Sequence, residues 1–158
     1  MASATPATAL LTRAGVEHTL HPYPHNPRSP GYGDEAATAL GVDPTRIFKT
    51  LIAAVDGQLI CAVVPVASSL DLKALAAVVG GKRATMAEPL AAQRSTGYVL
   101  GGISPLGQKA TLTTVIDSSV REFGTVFVSA GRRGLQVELA PEELMRLTSA
   151  QLAALATG

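Results

Sequence analysis

The chain has 158 residues, of which 47% are hydrophobic, 16% charged and 4% aromatic. That is enough for one Ala/Val/Leu-built core, whereas two domains would each be marginal, so residues 1–158 are expected to form a single domain. Its 13 basic and 12 acidic residues exclude the broad positive field of non-specific nucleic-acid or membrane-surface binders, leaving only local clusters such as Lys82-Arg83 and Arg132-Arg133.

The amino terminus, MASATPATALLTRAG, lacks a basic segment followed by a long apolar one, and no stretch has bilayer-spanning length; a cytoplasmic protein with no membrane partner is expected. Residues 7–14 predict a short helix ended by Gly15. Val16 to Tyr23 reads as extended, because Pro22 and Pro24 bar helix there. HNPRSPGYGD, residues 25–34, reads as a loop; Glu35 to Leu40 forms a brief helix stopped by Gly41, and Asp43-Pro44 opens a further helical turn. From Phe48, KTLIAAV and QLICAVVPV flank Asp56-Gly57, the clearest hairpin signal in the chain. Ser69 and Asp71 open a helix closed by Gly80-Gly81, and Glu88-Pro89 opens another reaching about Arg94. Strands are expected at Gly97 to Leu100, Ala110 to Ile116, Thr125 to Ser129 and Leu135 to Leu139, with helices after Pro141 and after Thr148-Ser149. This irregular alternation predicts an α+β domain with a mixed, largely antiparallel sheet rather than a doubly wound one.

Reactive residues are few. Cys61, the single cysteine, lies in the apolar run LICAVV, where burial raises a thiol pKa and leaves it inert. The three histidines, His18, His21 and His25, share one short segment, but His18 and His21 project to opposite faces of an extended chain and no cysteine completes a site; no metal is expected. GGISPLGQK, residues 101–109, has no hydroxyl after its lysine and fails as a phosphate loop, and no other cofactor fingerprint occurs. Ser104 precedes Pro105, which removes an amide that a nucleophile elbow would use as an oxyanion donor. What remains is a connection whose amides at Gly101, Gly102, Ile103 and Ser104 either meet a carbonyl or carboxylate oxygen or simply join two strands tightly. Lys49, set among apolar residues in IFKTLI, either lines a cleft and meets an anion or sits on an edge strand.

Taken together, HPYPH (21–25), YGDE (32–35), FKTL (48–51), LDLK (70–73), MAEPLAAQRSTGYVLGGISPLGQK (86–109) and VSAGRRGLQVELAP (128–141) resemble the YbaK-type Cys-tRNA(Pro) deacylases, relatives of the editing domain inserted in bacterial prolyl-tRNA synthetases. The resemblance runs nearly end to end. It implies a mixed sheet curled into a partly open barrel with helices outside. It also implies trans-editing hydrolysis of the ester joining cysteine to the 3′ end of mischarged tRNA(Pro), without metal or cofactor, with prolyl-tRNA synthetase as a further partner. On this basis Lys49, Gly101 and Gly102 carry the catalytic positions, and Tyr23, Tyr32, Thr50, Ile103, Ser104, Pro105, Ser129 and Gln136 the substrate pocket.

The resemblance accounts for the missing nucleophile: if the cysteine thiol attacks its own ester, the protein need only hold the ester and offer donors to the oxyanion. One position departs from the family, whose members commonly carry Asp where GLQVEL has Gln136; a carboxylate facing the substrate amine becomes a neutral amide. Two other readings accompany this departure. One is a deacylase for another mischarged aminoacyl-tRNA, the other a catalytically silent module that binds the tRNA end or the synthetase.

Overall fold

The computed structural model describes residues 4–26, 28 and 31–158; Pro27, Ser29 and Pro30, in the expected 25–34 loop, lie outside the described residues. The first helix, α1 (Pro6–Arg13), opens on a reciprocal cap. The Thr5 hydroxyl accepts from the Thr8 amide while Thr8 Oγ1 accepts from the Thr5 amide. Strand β1 (His18–Pro22) follows the first glycine, as expected. Helix α2 (Tyr32–Leu40) starts earlier than the sequence suggests, with Asp34 and Glu35 in its first turn where the dipole favours them, and ends at Gly41 with φ 65°. Asp43-Pro44 makes a single turn instead of a helix: the Thr45 and Arg46 amides both bond to Asp43, and the chain passes straight into β2 (Phe48–Val55).

Strands β2 and β3 (Gln58–Pro65) form the expected hairpin, with Asp56 (φ 49°) and Gly57 (φ 85°) both left-handed as a two-residue turn requires. After the short β4 (Ser69–Leu70), the Asp71 side chain accepts from the Ala74 amide and caps α3 (Leu72–Val78). Strand β5 (Ala84–Met86) has no sequence signal of its own; it forms because it pairs with Ala53 to Val55. Helix α4 (Pro89–Thr96) ends at Gly97 (φ 80°), and that left-handed cap breaks the strand expected over 97–100 into a turn.

Then come β6 (Thr113–Asp117), β7 (Val126–Arg132), β8 (Leu135–Leu139) and α5 (Pro141–Thr148). The helix expected after Ser149 is replaced by β9 (Gln151–Ala153) and β10 (Ala156–Thr157), because Ser149 turns the chain at φ 52° and Asp117 accepts the Leu155 and Ala156 amides.

The fold is α+β, and among the described residues five of the seven strand pairings are antiparallel. One sheet has the order β5-β2-β3-β6-β9, another β1-β8-β7, and β10 pairs with β4. Among the described residues the sheets do not close into a barrel; a parallel bridge between Ile47 and Phe127 links the two larger ones. Strand β3 is buried on both faces, which explains its continuous apolar run: Cys61 and Val63 face a core shared with Leu11, Phe48, Val128 and Val137, while Ile60, Ala62 and Val64 face Leu75 of α3. No helix among the described residues is long and apolar enough to cross a membrane.

One feature of the pairing positions the site. Strand β5 covers β2 only from Ala53 to Val55, so among the described residues no ladder partner covers the second edge of Phe48 to Leu51.

Candidate active site

A cleft of about 450 Å³ opens along that free edge. Because it follows an edge, residues from both faces of β2 reach it, Lys49 as well as Thr50. Tyr32 and Asp34 close it from the start of α2, Met86, Ala87 and Pro89 from the β5–α4 junction, Leu100, Gly101 and Ile103 from the loop after α4. Ser129 and Gln136, partners across the β7–β8 ladder, complete it.

Several polar atoms of the cleft side chains have no partner among the described residues, although the Gln136 side chain also bonds Tyr23. Lys49 forms no ion pair with any described residue. The side-chain oxygens of Thr50 and Gln136 are both buried without a hydrogen bond. Buried polar atoms are nearly always satisfied, and leaving one bare costs about 1–3 kcal/mol, so two beside one cleft are groups that the described residues do not satisfy.

The glycine-rich loop is held by protein backbone on several sides. The Gly102 amide donates to the Val99 carbonyl at 2.9 Å, closing a turn with Gly101 at φ 83° in its third position. A Cβ on Gly101 would meet the Tyr32 ring at 2.7 Å, one on Gly102 the Arg132 backbone at 2.9 Å, and one on Gly107 the Pro6 carbonyl at 2.6 Å. What comes close to the loop is therefore α1, α2 and the β7–β8 turn. Gly102, Ser104 and Pro105 are buried and do not line the cleft. The Gly102 amide is already used by Val99, the Ser104 hydroxyl accepts from the Leu106 amide, and the Ser104 carbonyl accepts from Gln108 at 3.0 Å. Beneath them Tyr98 donates to the Leu106 carbonyl at 2.6 Å, and burial pushes its phenol up to about 12. The amides of Gly101, Ile103 and Ser104 have no acceptor among the described residues.

Tyr23 also stands outside the cleft, packed with Ala36, Ile47 and Phe127; burial raises its phenol, while Gly134 and Gln136 draw it part of the way back. The histidines disperse to separate partners: His18 to the Val16 carbonyl, His21 to Glu138 at 2.9 Å, His25 to Glu35 at 2.8 Å. Cys61 is fully buried, and desolvation pushes its thiol up to about 11, which makes it inert. No histidine or cysteine lines the cleft.

Seven of the eleven residues singled out from sequence thus share one cavity: Tyr32, Lys49, Thr50, Gly101, Ile103, Ser129 and Gln136. Asp34, Met86 and Leu100 also line it and were missed, although YGDE, MAEP and YVLGG all stood among the motifs; nothing local marks them. The exposed large apolar side chains Tyr32, Met86, Leu90, Val99 and Leu100 are cleft residues or their chain neighbours.

Residues 32–147 match the family model for the aminoacyl-tRNA editing domain. A candidate Cys-tRNA(Pro)/Cys-tRNA(Cys) deacylase of Enterococcus faecalis, EbsC, is 39% identical over 78% of this chain and 76% of its own. The multifunctional Ser/Thr-tRNA deacylase ProXp-y of Escherichia coli K12 is 28% identical over 91% of this chain and 87% of its own. The crystal structure of a candidate trans-editing enzyme for prolyl tRNA synthetase superposes with a TM-score of 0.87 at 28% identity, covering 100% of this chain and 99% of that one.

Proposed function

The chain belongs to the aminoacyl-tRNA editing domain family and is an aminoacyl-tRNA deacylase, and from that premise we propose that it hydrolyses mischarged Cys-tRNA(Pro) in trans. The observation that carries this is a cleft with an unpaired lysine and unpaired backbone amides but neither histidine nor cysteine. Such a site can hold an ester and stabilise negative charge, yet it has no activated nucleophile of its own. The substrate supplies one. The cysteine Sγ attacks its own ester carbonyl, the C–O bond to the ribose breaks, and the thiol proton ends on the departing ribose oxygen. Water then opens the resulting thiolactone to free cysteine. The Gly101 and Ile103 amides face the developing oxyanion, Lys49 binds the tRNA 3′ end, and Tyr32, Thr50, Ser129 and Gln136 enclose the aminoacyl group. Gly102, Ser104, Pro105 and Tyr23 support these from behind.

On this reading residues 1–158 act as one cytoplasmic editing unit. Because its basic and acidic residues nearly balance, selection among tRNAs falls to prolyl-tRNA synthetase holding the same tRNA. A second reading, hydrolysis of Ser- or Thr-tRNA, is favoured by the bare oxygens of Thr50 and Gln136, which suit a hydroxylated side chain. Incubating the protein with Cys-, Ala-, Ser-, Thr- and Pro-tRNA(Pro) decides between them. Loss of the cysteine ester at least about tenfold faster than the others supports the thiol-assisted reading. Preferential loss of Ser and Thr esters supports the second, equal rates overturn both, and binding without ester loss returns the silent module.

A further inference from the structure

Arg133, in the β7–β8 turn, lies outside the cleft lining, yet it holds the mouth from two sides. Its Nε donates to the Leu100 carbonyl at 2.8 Å, and its guanidinium carbon sits 4.7 Å from the centroid of the Tyr32 ring. The same ring lies over Gly101, close enough that no Cβ fits between them. Arg133 and Gly101 therefore both lie against the Tyr32 ring.

The Leu100 carbonyl and the Gly101 amide belong to a single peptide unit. Leu100 is not among the residues with positive φ whereas Gly101 is, and the Gly102 amide closes the turn onto Val99, so Val99 to Gly102 is a type II turn with that unit at its centre. The central peptide of such a turn stands across the turn plane, and flipping it interconverts types I and II. A trans peptide points its C=O and N–H in opposite directions, so fixing one fixes the other. A charged donor on the carbonyl also polarises the unit and strengthens its N–H as a donor.

We propose that Arg133 is a positioning residue that acts through the Leu100–Gly101 peptide, locking its flip state and strengthening the Gly101 amide as the donor to the oxyanion. This rests on the reading of Gly101 given under the proposed function. Lysine cannot replace it: an ammonium lacks the planar fork that bonds a carbonyl while lying on a ring. Arg133 is not among the residues lining the cleft, so on this proposal its removal acts on the chemical step more than on binding.

The test uses two measurements on wild type, Arg133→Ala and Arg133→Lys. The first is the ¹⁵N–¹H signal of Gly101 in the ligand-free protein, which reads the peptide without any turnover. Both variants should move it well beyond the shifts of residues remote from the turn. The second is single-turnover hydrolysis of Cys-tRNA(Pro), where each variant should lose about tenfold or more in rate constant while the half-saturating concentration changes by less than about twofold. Millimolar guanidinium should restore part of the rate to Arg133→Ala and none to Arg133→Lys, whose side chain still fills the place. An unmoved Gly101 signal, a loss confined to half-saturation, or a loss matched by unfolding in both variants overturns the proposal. If wild type hydrolyses no aminoacyl-tRNA at all, the functional reading fails by itself, and the Gly101 signal still decides whether Arg133 governs the peptide.

Discussion

Gln136 and Glu138 stand two residues apart on β8, on the face opposite Leu135, Val137 and Leu139, which point into the main core. Their surroundings differ completely. Glu138 is saturated: it bonds His21 at 2.9 Å, Arg46 at 3.1 Å and the Thr125 hydroxyl, and Arg46 donates in turn to Thr125. His21 and Arg46 both lie against Phe127, so the cluster is packed as well as bonded. Gln136, the more buried of the two, lines the cleft and bonds Tyr23, but its side-chain oxygen has no partner among the described residues. One strand face thus divides into a part that completes itself and a part that waits for something else. A satisfied polar cluster stabilises the fold, whereas an unsatisfied one costs stability that only a ligand returns.

The largest expected departure is at Lys49, on the unsatisfied side. Lys49→Ala should lower kcat/KM for the preferred aminoacyl-tRNA by about a hundredfold while the thermal midpoint stays in place, since no described residue pairs with that ammonium. Turnover close to wild type would remove Lys49 from the cleft chemistry. Glu138→Ala should do the opposite. It leaves His21, Arg46 and Thr125 without their shared acceptor and should cost about 1–3 kcal/mol in urea unfolding, with kcat held near wild type. A smaller effect is expected at Gln136→Leu, which deletes the bare oxygen and with it the bond to Tyr23: half-saturation for the aminoacyl-tRNA should rise a few-fold, while stability changes by less than about 1 kcal/mol. A clear loss of stability there would mean that Gln136 belongs to the fold rather than to the site.

The smallest effect is on pH dependence. The Thr125 hydrogen bond, outweighing partial burial and assisted by His21 and Arg46, holds the Glu138 carboxyl below its usual value. A carboxylate whose folded pKa is depressed contributes its stability above the unfolded pKa and loses it as pH falls through the folded one. Wild type should therefore lose stability on acidification below the ordinary glutamate range, and Glu138→Gln should flatten that part of the curve. Asp117 adds a slope of the same sign: burial alone would raise it, but donors from Ser119, Leu155 and Ala156 outweigh burial and hold it low.

Much of this was legible in the residues themselves. The Asp56-Gly57 hairpin, the Asp71 cap and the glycine stops at Gly15 and Gly41 are set by contacts within a few positions. Strands β5, β9 and β10 were not legible, because each is two or three residues long and exists only through a partner elsewhere in the chain. In the site, Lys49 and Gly101 stood out as a charge among apolar residues and a glycine cluster without a nucleophile. Arg133 looked like half of a surface basic pair, since its partners Tyr32 and Leu100 are 101 and 33 positions away.

The sequence by itself determined most of the punctuation of the chain and the buried hairpin, which follow from local sterics and from hydrogen bonds a few residues long. It also carried the motifs that mark an editing domain. Only the tertiary structure decided which polar groups end up satisfied. Gln136 and Glu138 are similar in size and close neighbours on one strand face, and they part company because the packing of β1, β2 and β7 brings donors to one and an open edge to the other.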